Sequence, residues 1–192
     1  MLIVKENGVV YIAQSLATHR NGKGLWLTKT DLTNPNNTSL FKLFRSRVIG
    51  GIYADDGNCY HAYKTIYDVR GPLSVDKIVN EVLPAIKETT ELIGWDPDEN
   101  DGSLNPYVYL VLARDGDAFK IHRGGAVIEI EKDCEAIGED FLEEIICESK
   151  TELCAVERIK KAYHVAEKLQ FKTKFPIAII DTKSLKIKIY ED

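Results

Sequence analysis

Two tight-turn dipeptides constrain this chain more than any other feature. Asn7-Gly8 stands between Leu2-Ile3-Val4 and Val9-Val10-Tyr11-Ile12-Ala13. Asp115-Gly116 stands between a run from Tyr107 to Ala113 and the stretch Ala118-Phe119-Lys120-Ile121-His122. Asn-Gly and Asp-Gly accept the backbone angles of a two-residue hairpin turn, so each pair predicts two antiparallel strands. Further β segments are expected at Leu25-Trp26-Leu27, Val48 to Tyr53, Ala126 to Ile130, Phe175 to Ile180 and Leu185 to Tyr190. The Gly50-Gly51 pair inside the second of these removes side-chain bulk and predicts a bend or a close backbone approach. The alternating Lys186 and Lys188 of the last segment read as protection of an edge strand.

Between the β blocks the apolar period changes to three and four. Cys59, Ala62, Tyr63, Ile66 and Val69 form one helical face, ended by Gly71-Pro72. Ser74 is the expected N-cap of the next helix, with Asp76 in its first turn. Val75, Ile78, Val79, Val82, Ile86 and Ile93 form its apolar stripe. Pro84 within that stripe predicts a kink, or a cost of about 3 kcal/mol. Two more amphipathic helices are expected over 139–148 and 152–169, the second with Leu153, Val156, Ile159, Ala162, Tyr163 and Ala166 on one face. Blocks of antiparallel strands separated by paired helices predict an α+β fold in which sheets pack together with helices outside them. The whole chain, 1–192, reads as one domain.

Several chemistries are excluded at this stage. The net charge of 25 − 30 = −5 argues against a nucleic-acid binder, which needs a basic excess. No apolar run reaches the roughly 20 residues that span a bilayer. The opening residues are too short and too soon charged for a signal peptide, so a soluble cytoplasmic protein is expected. Cys59, Cys134, Cys147 and Cys154 contain no CxxC pair. On one continuous helix Cys147 and Cys154 would lie about 10 Å apart, so reduced, buried thiols are expected. The acidic loop from Asp96 has Asp101 and Tyr107 where a calcium loop needs glycine and glutamate. GxSxG, GxxxxGK[ST], HExxH and GxGxxG are all absent, and His19, His61, His122 and His164 stand far apart. No metal and no cofactor are expected.

The order of elements and several strings together resemble the proteasome β-subunit and HslV family of N-terminal-nucleophile (Ntn) hydrolases. Ile3-Val4 with Asn7-Gly8 through Ala13 is similar to that family's opening hairpin. Lys42-Leu43-Phe44 with Val48-Ile49-Gly50-Gly51 is similar to its lysine-bearing strand and the strand edging its cleft. Asp115-Gly116 through Glu129 and on to Ala136-Ile137-Gly138 is similar to its central hairpin and the turn into its third helix. The resemblance implies a four-layer αββα sandwich assembled into rings. The partners it implies are further copies of the chain, with an ATP-dependent unfoldase or a peptide as candidates and neither nucleic acid nor membrane.

The resemblance also implies a nucleophile, the hydroxyl of an N-terminal threonine, with its own α-amine as base. A lysine held by an aspartate lowers that amine's pKa, and backbone N–H groups receive the oxyanion. In this chain the corresponding positions depart from the pattern. Met1 has a thioether with no proton to lose, and Leu2 discourages removal of the methionine. Ser15 stands where the aspartate is expected. Lys42 matches the lysine only across a short gap, and an ungapped reading gives Ser39. Ala54 falls at the cleft-edge glycine, and Glu139, followed by Asp140, at a small hydroxyl residue. No catalytic residues are therefore expected, and Met1, Ser15, Lys42, Ala54 and Glu139 mark a degenerate pocket. Three functions stay open: a non-catalytic ring or scaffold subunit, an active hydrolase with an unusual nucleophile or hidden processing, and a binding or regulatory protein using the cleft.

Overall fold

A computed structural model describes residues 1–16, 39–43, 45–53, 69–92, 109–138, 140–148, 153–171 and 175–191. The strand expected at Leu25–Leu27, most of the helix expected from Cys59, the acidic loop, Ala54 and Glu139 lie outside them. Both expected hairpins form. Strand β1 (Leu2–Glu6) pairs with β2 (Val9–Ser15) through Asn7 and Gly8, whose φ angles are +51° and +73°. Two successive positive φ angles define the type I′ turn, which matches the right-handed twist of its strands. Strand β5 (Tyr109–Arg114) pairs with β6 (Asp117–His122) through Asp115-Gly116.

The remaining strands are β3 (Leu40–Lys42), β4 (Ile49–Tyr53), β7 (Val127–Glu129), β8 (Cys134–Ala136), β9 (Ile177–Asp181) and β10 (Ile187–Tyr190). They join the hairpins in two five-stranded antiparallel sheets, ordered β10-β9-β2-β1-β8 and β3-β4-β5-β6-β7. Strand β10 is an edge and Lys188 on it is exposed, as its alternating lysines predict.

Side-chain alternation with period two decides what each face covers. Ile3, Val10, Ile12, Val111, Ala113, Ala178 and Ile180 meet between the sheets. Their neighbours Leu2, Val4, Ile177 and Ile179 face outward, onto helices α2 (Phe141–Glu148) and α3 (Ala155–Lys168). On the other sheet Phe41, Ile52, Leu110, Leu112, Phe119 and Ile121 face outward onto helix α1 (75–92). The inner strands are buried on both faces, which gives a four-layer αββα sandwich.

Helix α1 starts where the sequence places it: Ser74 Oγ accepts the Lys77 N–H at 3.2 Å. Its course differs from a plain helix around Pro84. Residues Ile78–Val82 form a π-helical turn, and the Leu83 N–H reaches back to the Ile78 carbonyl. Proline has no N–H to give the usual bond, and the wider turn immediately before it accommodates that loss. Two residues of the expected stripe are corrected. Val75 and Val79 are exposed, while Ile78, Val82 and Ile86, four apart, make the buried row. The cysteine expectation is corrected as well. Cys134 is buried, but Cys147 ends in solvent on α2 and Cys154 caps α3, also exposed. Among the described residues no helix is long and apolar enough to cross a membrane.

Candidate functional site

The site follows from how β1 begins. The β1–β8 ladder pairs Leu2 with Ala136 and runs one residue further. The Met1 amino group donates to the Ile137 carbonyl at 2.9 Å, and the Ile137 N–H donates to the Met1 carbonyl at 2.8 Å. Residue 1 is thereby clamped at both ends of its backbone. Its side chain points between the sheets and is only 3% exposed.

The opposite sheet makes room for that side chain with glycine. A methyl group at Gly51 would lie 2.7 Å from Met1 Sδ and 3.0 Å from Leu40 Cδ2. At Gly50 it would lie 2.4 Å from Phe41 Cζ and 2.6 Å from the Val111 carbonyl oxygen. The close approach predicted for this glycine pair is therefore present, with Met1 as one of the groups approaching. The turn after Ile137 closes the same end: Gly138 has φ +78°, and a methyl there would sit 2.5 Å from the Tyr53 ring.

Beside Met1 lies a neutral polar pair. The β1–β2 register sets Leu2 against Ala13, and one residue further it brings Met1 alongside Gln14. Gln14 pairs with Ala178, which faces the space between the sheets, whereas Ser15 pairs with Ile177, which faces the helices. The buried Gln14 side chain thus turns toward the other sheet, where the Ser39 hydroxyl donates to its Oε1. Ser39 is fixed in turn because its carbonyl accepts the Ile52 N–H at 3.2 Å.

The site residues expected from sequence are only partly gathered here. Met1 and Ser39 share this end of the sandwich. Ser15 is buried nearby on the opposite face of β2. Lys42 lies on the edge strand β3 with its side chain in solvent. Ala54 and Glu139 are not among the described residues, and Asp140 is exposed, its carbonyl accepting the Glu143 N–H at 3.0 Å. Gln14 escaped the sequence reading. Its signal was the period of β2, in which Val10, Ile12 and residue 14 must share one face.

Besides the Met1 amino group, a charged pair faces the space between the sheets, with Lys120 opposite Val111 and Glu135 opposite Ile3. Lys120 on β6 and Glu135 on β8 form an ion pair. Lys132 bonds Glu143 at 2.8 Å and holds that carboxyl below its usual range, while the same bond raises the lysine. Among the described residues no cluster of three histidine, cysteine or acidic side chains is placed to hold a metal. Two surface hollows, about 800 and 470 Å³, lie along α3 and β10 away from Met1.

The fold is shared with several solved structures. Trypanosoma brucei HslV superposes with a TM-score of 0.59 at 15% identity, over 94% of this chain and 97% of that one. Thiobacillus denitrificans BPH in complex with epoxomicin gives 0.66 at 15% identity, over 94% and 96%. Anbu (ancestral beta-subunit) from Yersinia bercovieri gives 0.65 at 10% identity, over 100% and 86%. No family model matches the sequence. No curated protein matches it either.

Proposed function

We propose that this chain is an HslV- or proteasome-like subunit that forms a cytoplasmic homo-oligomer and has lost threonine-peptidase activity. The observation that carries the loss is Met1. The residue heading β1 has its thioether buried against Gly51, and a thioether cannot surrender a proton and attack a carbonyl. The pair beside it fits the same reading. Gln14 and Ser39 are both neutral, so they supply no positive charge to keep an adjacent amine unprotonated at neutral pH. The expected degenerate pocket is therefore proposed with Gln14 and Ser39 at its centre and Lys42 outside it.

Assembly is supported by the fold shared with HslV and by the charged, lysine-bearing outer edge at β10. An ATP-dependent unfoldase or a peptide remains the candidate partner. The test incubates the full chain with an epoxyketone, the ligand class seen on the Thiobacillus protein, and reads the intact mass. No adduct and a retained Met1 are expected; a stoichiometric adduct on the first residue would overturn the loss of activity. Sedimentation at micromolar concentration should show a species well above 21.6 kDa. A clean monomer would overturn the assembly and favour a binding role for the cleft.

A further inference from the structure

The chemistry assembled most closely outside the candidate site is a pair of thiols from different elements. Cys134 Sγ on β8 and Cys147 Sγ on α2 are 2.7 Å apart. A disulfide needs about 2.05 Å between sulfurs, so a small sideways movement of either side chain would join them. The two differ in access: Cys134 is 3% exposed and Cys147 lies in solvent. The end of α2 is held in place by the fully buried Arg158, whose guanidinium donates to the Ile146 carbonyl at 3.3 Å. Cys134 is fixed by the strand ladder, opposite Val4 of β1.

We propose that Cys134 and Cys147 form a peroxide-oxidisable dithiol, whose disulfide staples α2 to the strand that clamps residue 1. The exposed Cys147 is the thiol an oxidant meets first. Its sulfur attacks a hydroperoxide oxygen and becomes a sulfenic acid as the O–O bond breaks and one water leaves. The Cys134 sulfur then attacks the Cys147 sulfur; the S–O bond breaks, and the departing hydroxide takes the Cys134 proton as a second water. Two thiols and one hydrogen peroxide give one disulfide and two waters. The division of labour follows from the environment. Burial and the hydrogen bond Cys134 shares with Cys147 push the Cys134 thiol up to about 12, so Cys134 stays protonated until a sulfenic acid is delivered beside it.

The consequence reaches the first residue through the backbone. Strand β8 leads directly into Ile137, whose N–H and carbonyl both bond Met1. Closing the loop from 134 to 147 removes freedom mainly from the unfolded chain, and for a loop of about 15 residues it should raise the melting temperature by ~6–12 °C.

The test treats the reduced full chain with hydrogen peroxide and reads intact mass, a non-reducing peptide map and thermal melting. The expected result is a loss of about 2 Da, one peptide crosslink between Cys134 and Cys147, and the upward melting shift, all reversed by dithiothreitol. Cys147→Ser, at an exposed position, should fold normally and lose all three responses. Cys134→Ser should leave a sulfenic acid on Cys147 that dimedone traps. Should Cys134 remain open to alkylation after peroxide and unfolding, or the crosslink involve Cys59 or Cys154, the proposal is overturned.

Discussion

Placing a threonine where Met1 stands tests the packing and the chemistry of the site at once. Coding a threonine between Met1 and Leu2 lets the initiator methionine be removed, so the mature chain begins Thr-Leu-Ile-Val and carries, in effect, Met1→Thr. Truncating a buried methionine to alanine costs about 2–5 kcal/mol, and threonine restores only one methyl and a hydroxyl. The side chain is 3% exposed and its thioether reaches the space over Gly51 that Leu40 and Ile12 also border, so a hydroxyl directed there gains little. A loss of ~2–3 kcal/mol is expected, which for this chain length lowers the melting temperature by ~4–12 °C. The new hydroxyl should still give no measurable turnover of a fluorogenic peptide, because a missing general base costs ~10²–10⁴ in rate. Adding Gln14→Glu and Ser39→Lys puts opposite charges where the Gln14–Ser39 hydrogen bond now lies, and turnover should rise by ~10² or more over the threonine alone. The assays are scanning calorimetry and initial-rate fluorimetry on the same preparations. Robust hydrolysis from the threonine alone would show that the pocket already holds a working base. An unchanged melting temperature would show that the thioether contributes no packing.

Other expectations follow from single positions. Gly50→Ala should destabilise by ~2–4 kcal/mol in urea titrations and Gly51→Ala by about 1 kcal/mol. At Gly50 the new methyl meets a ring and a backbone carbonyl, whereas at Gly51 its nearest neighbour is the flexible Met1 side chain; equal costs would refute this account. Thr182→Val should cost ~1–3 kcal/mol, because the buried hydroxyl accepts the Val10 N–H at 3.0 Å and donates to the Asp115 carbonyl at 2.6 Å, joining the two hairpins. A neutral result would mean water replaces it. The lowered Glu143 carboxyl contributes stability that is present above its ordinary value of 4.5 and is lost as pH falls through its folded value. The wild-type melting temperature should therefore fall more steeply than that of Lys132→Ala on acidification from pH 6 to pH 3, and parallel curves would exclude the pair as a contributor.

Local chemistry was legible in the amino-acid sequence. Asn7-Gly8 names its own turn because few residues accept two positive φ angles, and Ser74 names a helix start because its hydroxyl caps an N–H three residues on. Blocks of antiparallel strands separated by paired helices announced sheets packed together beneath helices, and the Gly50-Gly51 pair announced a close approach. What approaches Gly51 could not be read, since Met1 comes from another sheet fifty residues away in sequence. The same holds for Ser39 meeting Gln14 rather than leaving Lys42 at the site, for Pro84 being absorbed by a π turn, and for Cys147 meeting Cys134. Turns and caps depend on bonds within a few residues, which composition and spacing encode directly. Partners across the sandwich depend on how two sheets are stacked and which strands become neighbours, and that is decided by burying all their apolar faces together.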